Sequence, residues 1–88
     1  MSNNHSLISR NVTINGHRTS LRMEQETWDA LAEICLRENQ SIHQVCTHVE
    51  ERREVSNRTS AVRAFIITYY RAAATETGHQ DAGHGRRA

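Results

Sequence analysis

Residues 12–23 read VTINGHRTSLRM, an Asn-Gly pair set between two stretches in which apolar and polar residues alternate. No other short pattern in the chain narrows the fold as much. Asn-Gly suits the two positive-φ positions of a tight hairpin turn, and a period of two belongs to a strand with one buried face. With Asn15 and Gly16 as a two-residue loop, Ile14 faces His17, Thr13 faces Arg18 and Val12 faces Thr19. Val12, Ile14, Thr19, Leu21 and Met23 then share one side, and Arg18, Ser20 and Arg22 the other. Residues 17–23 read equally well as a lone strand awaiting a partner from another chain. The two arrangements are compatible, because a strand has two edges.

Size sharpens that choice. The 88 residues allow one domain with a thin core, which a partner subunit would enlarge. Two cysteines cannot form a disulfide framework. The start, MSNNHSLISR, has no apolar run of signal-peptide length, and nothing reaches the length of a membrane span. The expectation is a cytoplasmic protein with no membrane partner.

After Met23 the period becomes helical. Trp28, Leu31 and Cys35 recur at i, i+3 and i+7 within residues 25–38, and Asn39 suits the left-handed turn that ends such a helix. Ser41 and Gln44 have the spacing of a capping box, opening a second helix with Ile42, Val45, Cys46 and Val49 on its apolar stripe, to end near Arg53. A third helix from about Thr59 presents Val62, Phe65, Ile66, Tyr69 and Tyr70 on one broad face. The fold class expected is mainly α with one short β-strand per chain, residues 11–14 being open as an extra strand. Residues 1–9 are expected to form a flexible arm and 10–74 the domain. Residues 75–88, TETGHQDAGHGRRA, are expected to be a disordered tail, since they contain no large apolar side chain to offset the entropy of ordering.

Net charge is only +1, but it is unevenly spread. Residues 1–23 carry Arg10, Arg18 and Arg22 with no carboxylate, whereas Glu24, Glu26, Asp29, Glu33 and Glu38 follow directly. Pairing two copies of residues 17–23 edge to edge would satisfy the exposed strand and set two groups of Arg18, Ser20 and Arg22 side by side. A two-stranded ribbon of that kind fits the major groove of DNA.

The succession HRTSLRM, EQETWDALAEICLREN, QSIHQVCTHVEERR resembles the strand and two helices of the ribbon-helix-helix DNA-binding domains. GHRTSLRMEQETWDAL is especially similar to short bacterial members that end, like TSAVRAFIITYYR here, in a further helix. The resemblance covers about residues 10–72. It implies an intertwined homodimer, with Arg18, Ser20 and Arg22 reading base edges and Thr19, Leu21, Met23, Trp28 and Leu31 in the dimer core. It also implies phosphate contact by backbone N–H groups of Ser41, Ile42 and His43, joined by Arg10 and His17. Asn39 or Gln40 stands where glycine is frequent in the family, and Gln25 where proline often opens the first helix. A helix opening at Thr59, Ser60 and Arg63 is the alternative phosphate-gripping element. The function implied is a transcriptional regulator, a repressor, with double-stranded DNA as partner. Two other readings stay open: an antitoxin whose tail takes up a protein partner, and a dimeric protein-interaction adaptor.

Other chemistry finds little support. Cys35, His43, Cys46 and His48 match no strong zinc spacing, and the two cysteines lie on apolar stripes, so neither metal nor cofactor is expected. No nucleophile and base occur at a recognised spacing, and there is no phosphate-cradling glycine loop, so an enzyme is not expected.

Overall fold

The computed structural model describes residues 6–54 and 57–85, with side chains as far as Glu76. In chain order it holds β1 (Ile8–Ile14), β2 (His17–Met23), α1 (Gln25–Glu38), α2 (Ile42–Glu51) and α3 (Arg58–Gly85). The strands form a two-stranded antiparallel sheet in the register the turn chemistry dictates, from Ile14 opposite His17 to Ile8 opposite Met23. Asn15 (φ 52°) and Gly16 (φ 81°) both occupy the left-handed region, the conformation a two-residue turn needs to match the twist of its strands.

The fold is mainly helical as expected, and the extra strand left open at residues 11–14 is present as the longer β1. β1 begins at Ile8, inside the segment expected to be a flexible arm, for two reasons. Ile8 packs against the core, and its carbonyl accepts a hydrogen bond from Trp28 Nε1 at 2.9 Å. The indole thereby finds its polar partner at the place where the strand starts.

The apolar face of the sheet, Val12, Ile14, Leu21 and Met23, is buried against Trp28, Leu31 and Ile34 of α1, Val45, Cys46 and Val49 of α2, and Val62 and Ile66 of α3. Asn39 (φ 55°, ψ 45°) closes α1, its N–H donating to Leu36 O (3.2 Å) while Gln40 N–H reaches Cys35 O (3.0 Å). Asn is the non-glycine residue best able to adopt that turn, so the departure from glycine leaves the helix end intact. Ser41 caps α2 through a complete box: Gln44 N–H donates to Ser41 Oγ (3.0 Å) and Ser41 N–H to Gln44 Oε1 (2.7 Å). α2 ends at Glu51, just short of the expected Arg53.

Asn57 opens α3, its Oδ1 accepting from Ser60 N–H at 2.9 Å. Glu24 receives Arg63 (3.0 Å), and Tyr69 and Tyr70 donate to Glu38 (2.6 Å) and Glu33 (2.7 Å), fastening α3 along α1. α3 continues past Ala74 to Gly85, into the segment expected to be a tail. The consecutive alanines Ala72, Ala73 and Ala74 favour helix strongly, and no proline follows to stop it. Residues 1–5 and the tail side chains from 77 onward lie outside the described residues.

Candidate nucleic-acid interface

The sheet separates two chemistries. Alternation sends Ser9, Asn11 and Thr13 of β1 to the same face as Arg18, Ser20 and Arg22 of β2, and all six are exposed. The strands are bonded across this face as well, Ser9 Oγ to Ser20 Oγ at 2.7 Å. Neither strand contains a carboxylate, so the face combines two guanidinium groups with hydroxyl and amide donors.

The two edges of the sheet differ. Thr13 N–H donates to His43 Nδ1 at 3.0 Å, and Asn15 N–H to Thr47 Oγ1 at 3.3 Å, so α2 closes the outer edge of β1 beside the turn. Because Thr13 N–H is spent on α2, the Thr13–Arg18 pair is a non-hydrogen-bonded one. The main-chain groups of Arg18, Ser20 and Arg22 then point away from β1. Among the described residues no hydrogen bond reaches them from any helix or loop. β2 therefore offers an open edge on the strand that carries the arginines.

The bond to His43 also fixes where α2 begins. With Ser41 N–H and Gln44 N–H engaged in the capping box, the N–H groups of Ile42 and His43 are the ones left at the helix start, beside the hairpin turn. α3 begins elsewhere: Arg58 binds Glu50 (2.9 Å) in the last turn of α2, roughly 12 Å along the helix from Ile42, given a rise of about 1.5 Å per residue.

A family model described as the ribbon-helix-helix domain matches residues 7–70, taking in both strands, α1, α2 and the first part of α3. The chain belongs to the ribbon-helix-helix family. Members of that family are generally DNA-binding regulators or antitoxins, and the fold is a regulatory one rather than an enzyme fold. A solved structure of an uncharacterized protein from Bordetella pertussis Tohama I is similar, with 31% identity and a TM-score of 0.67. The match covers 83% of this chain and 62% of that one, so this chain spans less than two thirds of that protein's length. Among curated proteins none matches significantly.

Within this ribbon-helix-helix chain, Arg18, Ser20 and Arg22 fall together on the polar face, and Ser41, Ile42 and His43 lie at one rim of the sheet. Arg10 does not join them. It stands opposite Leu21 on the other face, with its guanidinium 5.4 Å from the centre of the Trp28 ring. His17 is exposed at the turn, opposite Ile14. Leu21, Met23, Trp28 and Leu31 are buried within the chain's own core, and Thr19 is half-buried. Asn11 and Thr13 stand on this face beside the residues expected to form the site, Thr13 in the place opposite Arg18 that the turn register dictates. Thr47 gave no local signal, since it meets Asn15 only through the fold.

Cys35 and Cys46 are free and buried. Burial raises both thiols, Cys46 to about 11, which makes them poor thiolates. His48 stands edge-on to Phe65 at 6.4 Å. Among the described residues no group of three or more His, Cys, Asp or Glu is placed to hold a metal ion, and no helix is long and apolar enough to cross a membrane.

Proposed function

We propose that this chain is a sequence-specific DNA-binding regulator of transcription, a bacterial cytoplasmic repressor acting as a homodimer. Two copies join β2 to β2, and the paired strands enter the major groove with Arg18, Ser20 and Arg22 toward the bases. The observation that carries this reading is the open edge of β2 in a sheet whose other edge is covered by α2 beside the turn. An unpaired edge invites a strand, and the strand it favours here is its own copy.

The register follows from the main-chain groups left free. Placing Ser20 on the twofold axis, with Arg18 of one copy across from Arg22 of the other, lets all three residues exchange hydrogen bonds across the interface. Opposed guanidinium groups repel when unliganded. Guanine edges or phosphates between them reverse that sign. Both α2 starts would then reach phosphates beside the groove, which favours α2 over α3 as the phosphate-gripping helix.

Selection of bound sites from a random duplex library, followed by titration over a salt series, tests the reading. Recovery of a twofold-symmetric or repeated site, bound by a dimer with affinity falling steeply as salt rises, is the expected result. A compact monomer that recovers no site would overturn it.

A further inference from the structure

We propose that Asn11 and Thr13 of β1 bind the sugar–phosphate backbone along the lips of the groove that β2 reads. They form a contact element of neutral donors flanking the arginine ribbon. This inference rests on the DNA-binding reading and adds to it a strand that the paired ribbon does not need for its own pairing.

The geometry is one of widths. Neighbouring strands lie about 4.8 Å apart, so joining β2 to β2 yields the order β1-β2-β2-β1, with the two copies of β1 roughly 14 Å apart. The major groove is about 12 Å wide. The central pair fits between its walls; the flanking strands do not, and they lie over the phosphate ridges. Asn11 and Thr13 project from β1 on the same face as Arg18, Ser20 and Arg22, opposite Ser20 and Arg18 respectively, and both are exposed. Their amide and hydroxyl donate to anionic oxygens without bringing a charge of their own. Neither strand contributes a carboxylate that would repel phosphate from this face. Thr13 is also held in place, since its N–H is bonded to His43 at the start of α2.

Neutral donors predict an unusual binding signature. The salt dependence of affinity counts the cations that displace counterions, so losing Asn11 and Thr13 lowers affinity without changing the slope. Sequence preference is likewise unchanged, because phosphate contacts carry no base information.

The test is the double variant Asn11→Val/Thr13→Val, which places strand-favouring side chains at both positions and removes both donors. Circular dichroism and solution mass establish that it folds and assembles as the unmodified chain does. Duplex binding is then measured over a salt series, on a library-selected site and on random sequence. The expected result is a loss of about tenfold on both duplexes, with parallel salt slopes and unchanged base preference. Unchanged affinity would overturn the inference while leaving the arginine ribbon standing. So would a loss confined to the selected site with altered preference at one base position, which would make β1 a base reader. If the unmodified chain binds no duplex at all, the underlying reading falls and this inference with it.

Discussion

Thr13 N–H donates to His43 Nδ1 at 3.0 Å, joining the outer strand of the sheet to the first turn of α2. With the bond from Asn15 N–H to Thr47, it covers the end of that edge beside the turn, where a strand could otherwise pair, and sets the helix start beside the polar face. His43→Ala should lower stability by about 1 kcal/mol, the usual worth of such a bond. It should also open β1 to pairing, so that light scattering detects species larger than a dimer as concentration rises. A variant that keeps its stability and its assembly state would mean that this edge is protected by something other than α2.

Arg22 and Leu21 are neighbours on β2 with opposite surroundings, one exposed and the other 2% exposed. Arg22→Ala should leave the melting temperature essentially unchanged and cost roughly 1–3 kcal/mol in discrimination at one base position. Leu21→Ala should cost about 2–5 kcal/mol of stability through the cavity it leaves, and Leu21→Asp should unfold the chain. Paired thermal melts and binding curves separate the two roles. Loss of folding in Arg22→Ala would count against a groove-facing side chain.

The parts of this fold legible in the sequence are those set by local rules. Asn15-Gly16 fixed the register, the Ser41–Gln44 spacing announced the cap that forms, and Asn39 adopts the left-handed turn glycine would have taken. What escaped depends on contacts distant along the chain. Nothing within residues 1–9 indicates that Ile8 will be held by an indole twenty residues away, or that His43 and Thr47 will cover the edge of β1. Arg10 illustrates the same limit. Its charge groups it with Arg18 and Arg22, whereas the pleat sends it to the opposite face and onto Trp28. The site was legible where alternation decides the face, and illegible where a side chain has a long-range partner.

Glu50 accepts from both Arg53 and Arg58, and these bonds, Arg53 first, hold its carboxyl below the ordinary value of 4.5. A carboxyl depressed in the folded state contributes stability above its unfolded pKa and loses it as pH falls through the folded one. Stability should therefore decline as pH drops below about 5, and Glu50→Gln should flatten part of that decline. The effect is modest because the group is accessible to solvent and screened. Denaturant midpoints at pH 7 and in steps through the acid range measure it, and identical pH profiles for the two chains would remove Glu50 from the account.

Trp28 Nε1 donates to Ile8 O at 2.9 Å, and the guanidinium of Arg10 lies over the same ring, so one indole anchors the start of β1 twice. Trp28→Phe keeps an aromatic ring in the core but removes the donor. The ladder near the turn does not depend on that bond, being secured by Asn15-Gly16 and by α2. The expected outcome is local: amide exchange should accelerate at Ile8 and Arg10 while Val12 and Ile14 stay protected, with a global cost of about 1–2 kcal/mol. Uniform acceleration along the strand would show instead that Trp28 supports the whole sheet through packing. No change at Ile8 would show that pairing with Met23 alone holds the beginning of β1.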